Sequence, residues 1–118
     1  MQATMSERWI YYLARKSEFE QARDGAFYLG SAEDRADGFI HFSTAAQLRA
    51  SAAKHRKGEP DLLLLEVDAE RLGPGLRWEE ARGGQLFPHL YGALPLAAIS
   101  RTAPLPLEGG AHLFPDWV

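Results

Sequence analysis

The sequence predicts an α+β fold: one domain of split, mostly antiparallel β-sheets with two helices. Three observations carry this. A chain of 118 residues buries about two-thirds of its extended surface, enough for one core and too little for two. Hydrophobic residues make up 46% and charged residues 25%, an ordinary globular balance that excludes disordered, collagen-like and coiled-coil classes. The elements read β-α-β-β-α-β-β-β-β, and strand–helix alternation stops after Arg56, which argues against a doubly wound parallel sheet. The domain is expected to span 8–118, with 1–7 a disordered N-terminus.

Each element has its local signal. Trp9 to Leu13 is aromatic and β-branched, a first strand. Ser17 with Glu20 three residues on is a capping-box pattern, and Gly25 is a stop, so a short helix is expected between them. Phe27 to Leu29 reads as a short strand, and Ser31 to Gly38 as a polar connection ending in the Asp37-Gly38 turn signal. Phe39 to Ser43 is a strand. Thr44 and Gln47 form a second capping box, opening an alanine-rich helix that runs to about Arg56, with basic residues in its last turn and Gly58 after it. Leu62 to Val67 is continuously apolar, hence a strand buried on both faces. Leu76 to Ala81 and Leu86 to Leu94 are further strands, and Leu96 to Thr102 is expected to be the last. Pro104, Pro106 and Gly109-Gly110 make a loose tail, whose end from Leu113 to Trp117 is apolar enough to dock on the body.

Composition removes several classes of function. Thirteen basic residues against sixteen acidic ones give a net charge of −3, so no sequence-independent grip on DNA is expected. Cysteine is absent, which excludes disulfides, thiolate zinc sites and cysteine nucleophiles. No run approaches the ~20 apolar residues of a spanning helix. The first residues lack a basic-then-apolar leader, so no membrane partner and a cytoplasmic location are expected. The standard phosphate loops and the G-x-S-x-G nucleophile elbow are missing.

Two matching triplets point to a site. Phe39, His41 and Ser43 alternate along a strand and share one face, leaving Ile40 and Phe42 for the core. Phe87, His89 and Tyr91 repeat the arrangement. Each offers an aromatic ring, an imidazole and a hydroxyl on one side, and apolar stacking surface with a few directed polar groups is what a ligand pocket needs. The structural readings stand beside this one. A strand histidine can simply be a hydrogen-bonded core residue, and Ser43 or Thr44 can be the N-cap of the next helix.

Further candidates surround the triplets. Trp78-Glu79-Glu80 sets two carboxylates on opposite faces of a strand, for acid–base work or for surface pairing. Lys54-His55-Arg56-Lys57 is either a phosphate holder or the usual cationic end of a helix. Gly92 permits close backbone approach or merely a turn. His41, His89 and a glutamate are the residue types of a two-His-one-carboxylate metal site, yet no metal-ligand spacing supports one, and no metal is expected.

The segments Asp37–Thr44 and Phe87–Leu94, with the opening Ile10-Tyr11-Tyr12-Leu13, resemble the family called domain of unknown function 952, small bacterial proteins of about this length. The resemblance covers the chain from about Arg8 to Trp117. It implies a fold similar to that of ADP-ribosyltransferases, which bind NAD or an ADP-ribosylated intermediate between two small antiparallel sheets. Their signature is an Arg or His on the first strand, Ser-Thr-Ser or Tyr on a middle one and Glu on a late one. Here Ser43-Thr44 matches the middle motif and Glu79 or Glu80 the late acid. The first strand offers Tyr11 and Tyr12, with Arg8 before it, and no E-x-E is present.

The resemblance therefore implies an NAD- or ADP-ribose-type cleft with a small-molecule nucleotide as partner, and NAD as substrate of a transferase or glycohydrolase acting at the anomeric carbon. His41, His89 and Glu79 are the expected catalytic residues. Phe39, Ser43, Thr44, Trp78, Phe87, Tyr91 and Gly92 are expected to bind the nucleotide. Two alternatives stay open: a non-catalytic module that binds a nucleotide or a protein, and a metal-dependent hydrolase. A protein partner is left unspecified.

Overall fold

A computed structural model describes residues 7–118, so the disordered segment expected over 1–7 lies, but for Glu7, outside the described residues. The strands are β1 (Trp9–Arg15), β2 (Phe27–Tyr28), β3 (Ile40–His41), β4 (Leu62–Asp68), β5 (Leu76–Glu80), β6 (Leu86–Leu90), β7 (Leu94–Pro95), β8 (Ile99–Leu105), β9 (Leu107–Glu108) and β10 (Ala111–His112). The helices are α1 (Lys16–Glu20), α2 (Ala32–Asp37) and α3 (Ala45–His55). Two three-stranded sheets, ordered β1-β4-β8 and β3-β6-β5, are accompanied by the pairs β2-β7 and β9-β10, and every pairing between these strands is antiparallel. The α+β expectation of split antiparallel sheets holds at this level. Among the described residues, no helix is long and apolar enough to cross a membrane.

The central strand β4 is buried on both sides, as its leucine run predicts. One face carries Leu65 and Val67 beside Ile10, Tyr12 and Ala14 of β1, and packs onto Ile40, Phe42 and Leu90 of the second sheet. The other carries Leu62 and Leu64, covered by Leu48 of α3, Leu105, and the tail residues Phe114 and Trp117. Each fully buried leucine contributes about 2 kcal/mol, so the strand serves two cores at once. The two sheets are stitched where the edge of β1 meets the end of β3. Tyr11 and Ser43 exchange backbone hydrogen bonds at 2.8 and 2.9 Å, and the Phe42 N–H donates to the Pro88 carbonyl at 2.9 Å.

Three expectations need correction. There are three α-helices rather than two: Ser31 to Gly38 is the helix α2, not a loop. Ser31-x-x-Asp34 is a capping box in which each side chain takes the other's backbone N–H, and Gly38, at φ 91°, closes the helix in the left-handed region. The Ser17–Glu20 box does not form, because α1 begins two residues earlier, after Arg15, which makes no side-chain cap bond. The strand after Leu94 is β8, displaced to Ile99–Leu105, and the expected loose tail continues as the β9-β10 hairpin. Pro104 is tolerated in β8 because that strand is the outer one of its sheet, where a missing N–H costs no ladder bond.

Candidate functional site

Alternation along β3 and β6 puts Phe39 and His41 on the same face as Phe87, His89 and Tyr91, with Ile40, Phe42 and Leu90 turned to the core. The register then makes His41 and His89 direct cross-strand partners. Their rings meet edge to face with centroids 5.5 Å apart. Phe39 stacks on His89 at 4.2 Å and leans on His41 at 4.4 Å and on Tyr91 at 5.1 Å. The two triplets thus converge on one aromatic cluster.

Each imidazole has its own carboxylate. His41 Nδ1 lies 2.5 Å from Asp34 Oδ1 and its Nε2 3.1 Å from Asp37 Oδ2. Asp34 is buried and also accepts from the Tyr12 hydroxyl, itself buried, and from the Ser31 N–H at 3.0 Å. Burial by itself raises the Asp34 pKa, but the hydrogen bonds from His41, Tyr12 and Ser31 together hold it below the usual carboxylate range. Gly30 makes room for this carboxylate: a Cβ there would stand 2.8 Å from the Asp34 Cβ, at a backbone φ of 92°. On the other side, Glu79 Oε1 meets His89 Nδ1 at 2.8 Å and the Tyr91 hydroxyl at 2.7 Å. Those bonds, from His89 first and then Tyr91, depress the Glu79 pKa, and Glu79 in turn raises that of Tyr91. At His89 the carboxylate on Nδ1 orients the ring, fixes the tautomer and leaves Nε2 as the basic nitrogen, whereas His41 has a carboxylate at each ring nitrogen.

The histidines border a cavity of about 470 Å³, whose walls also include Phe39 and Phe87 from the second sheet, Tyr11 and Tyr12 from β1, and Lys54, His55 and Arg56 from the end of α3. That volume suits a drug-sized or nucleotide-sized ligand. Ser43 is on the wall, its hydroxyl donating to the Ser51 hydroxyl at 2.8 Å. Other expected binders stand elsewhere. Thr44 caps α3 by accepting from the Gln47 N–H. Trp78 packs against the core, because it lies one residue from Glu79 and so on the opposite face. Tyr91 and Gly92 lie outside the wall, Tyr91 touching the cluster through Phe39 and Glu79. The tail covers the second core rather than the cavity.

Sequence reasoning missed Asp34, Asp37 and Ser51, and noted Tyr12 only as what the first strand offers, not as a partner of a site carboxylate. The signal for Asp34 was the Ser31-x-x-Asp34 box, which marks an acidic side chain held at the start of a helix directly before the first triplet. Among the described residues, no three His, Asp or Glu side chains form a group able to hold a metal ion.

A family model described as a protein of unknown function, DUF952, matches residues 13–102. The chain belongs to the DUF952 family. The crystal structure of protein CC0527 from Caulobacter crescentus is 42% identical to it, covering 89% of this chain and 93% of that one with a TM-score of 0.86. The solution NMR structure of the same protein has a TM-score of 0.77 over 88% of this chain and 90% of that one. No curated protein matches this DUF952 sequence.

Proposed function

We propose that the cavity of this DUF952 chain binds a nucleotide-type ligand, of which NAD and ADP-ribose are the forms to test first, and that His89 acts on its glycosidic bond. The carrying observation is the cross-strand His41–His89 pair, with a carboxylate on each Nδ1 and Phe39 across both rings, in a cavity of about 470 Å³. Phe39 and Phe87 offer apolar faces for a base or nicotinamide ring. His41 keeps Asp34 and exchanges its exposed partner Asp37 for a ligand oxygen. The bond from the anomeric carbon to nicotinamide breaks, and its electron pair leaves with the nicotinamide. The attacking hydroxyl, of water or of an acceptor, bonds to that carbon and gives its proton to Nε2 of His89. Glu79 is a positioning residue here. It holds His89 and Tyr91 and does not meet the ligand itself.

The test is an NMR titration of labelled protein with NAD, ADP-ribose, nicotinamide and AMP, followed by an assay for released nicotinamide. Shifts at residues 39–43 and 87–91, with release abolished in His89→Gln, support the reading. No shift there with any of the four at millimolar ligand removes it. Shifts without release leave the chain a nucleotide-binding module.

A further inference from the structure

Building on that reading for the ring-bearing part of the ligand, we infer that the C-terminal end of α3 is a phosphate subsite, in which Arg56 and Lys54 take a phosphoryl or diphosphate group of the molecule held under Phe39. Both residues line the same cavity as the two histidines. Neither has an ion-pair partner among the described residues. Glu59, the carboxylate that follows the helix, is hydrogen-bonded by Arg15 at 2.8 Å and also feels the charge of Arg56, with which it makes no ion pair. Of the three acids that line the cavity, Asp34 and Asp37 are both engaged by His41, and the third is Glu80, the last residue of β5.

Arg56 carries the second observation. Its Nε is buried with no hydrogen-bond partner, the one such side-chain atom among the described residues. Of its five donors, Nη1 alone has a protein acceptor, the neighbouring His55 carbonyl at 3.2 Å. A buried donor left unpaired is costly, and a guanidinium that turns its Nε–Nη2 edge to two oxygens of one phosphoryl group makes a bidentate, charge-assisted pair. A second cation two residues earlier matches the further charge of a phosphate, which a carboxylate does not carry. Cations at a helix end also offset the helix dipole. Lys57 does that equally well, yet it stands off the cavity wall, and this separates the two roles.

The experiment titrates labelled protein with inorganic pyrophosphate, succinate and adenosine, in the wild type and in Arg56→Gln, Lys54→Gln and Lys57→Gln. Pyrophosphate is expected to shift the amides of residues 54–56 and succinate to shift them far less. Arg56→Gln is expected to weaken pyrophosphate at least ~10-fold and Lys54→Gln about 3-fold, with Lys57→Gln within about 2-fold of wild type. No pyrophosphate shift at 54–56 in the wild type overturns the proposal, and so does an equal loss in Lys57→Gln, which means bulk charge alone. Should Arg56→Gln not fold, exposed Lys54 decides: unchanged affinity in Lys54→Gln overturns the subsite. Pyrophosphate bound at 54–56 with no adenosine or nicotinamide shifts at 39–43 and 87–91 keeps the subsite and removes the nucleotide reading. Ring ligands bound without pyrophosphate do the reverse.

Discussion

The two histidine–carboxylate pairs are inverted copies of each other. In the first, the ring is 40% exposed and its carboxylate, Asp34, 5%. In the second, the ring is 8% exposed and its carboxylate, Glu79, 35%. Asp34 belongs to the fold before it belongs to the site. It caps α2, accepts from the Tyr12 hydroxyl, and through its backbone carbonyl ends the helix on the Gly38 and Phe39 N–H groups. Glu79 binds only His89 and Tyr91 among the described residues. The same chemical pair is thus anchored at its acid on one strand and at its base on the next. The difference separates what holds the site from what works in it.

The largest break in this comparison is Asp34→Ala. It removes the half of the α2 capping box that the Asp34 side chain makes, and leaves the buried Tyr12 hydroxyl and the Ser31 and His41 N–H groups short of their carboxylate acceptor, at about 1 kcal/mol each. The expected loss is about 3 kcal/mol, roughly 12 °C in the melting midpoint of a chain this size. A thermal melt checks it. A midpoint close to that of Glu79→Gln would mean the two acids are equivalent and the inversion has no energetic content.

Glu79→Gln tests the other half. A glutamine keeps the shape but not the charge that sets the His89 tautomer, so nicotinamide release is expected to fall about 10²-fold while the melting midpoint stays near wild type. Release at the wild-type rate removes Glu79 as a positioning residue. A change in the pH profile of the remaining activity, with the fold intact, separates positioning of His89 from a merely structural loss.

Much of this pairing was legible in the chain. Alternation of period two put Phe39, His41 and Ser43 on one face and Phe87, His89 and Tyr91 on another, and it equally implied that Trp78 cannot share a face with Glu79. What alternation cannot give is register. That His41 faces His89 depends on how β3 pairs with β6, a non-local choice made by the two cores. Asp34 was hidden for a different reason. Its role depends on a six-residue helix, too short to show hydrophobic periodicity and readable only through its box and its Gly38 stop.

The acids also predict a pH response. Asp34 lies below its ordinary value, and Glu33 falls to about 2 because Arg15 hydrogen-bonds it. Carboxylates with depressed native pKa values bind fewer protons in the folded state than in the unfolded one. Stability from them is therefore complete above the ordinary range of 3.8 to 4.5 and lost as pH falls toward about 2. Urea midpoints measured across that window should decline steadily with acid in the wild type and less steeply in Asp34→Asn. Parallel declines would place the acid sensitivity elsewhere.

The smallest expected effect belongs to Thr44, which sits beside the first triplet but serves only the helix. Its hydroxyl accepts from the Gln47 N–H, and Gln47 returns a bond to the Thr44 N–H. Thr44→Ala is expected to cost about 1 kcal/mol in denaturant unfolding and to leave ligand titrations unchanged, because the residue does not border the cavity. Thr44→Ser keeps the oxygen and should recover most of the stability. A binding defect in Thr44→Ala that Thr44→Ser repairs would instead mean that α3 must be firmly started for its far end to meet the ligand, extending the site along the whole helix from Thr44 to Arg56.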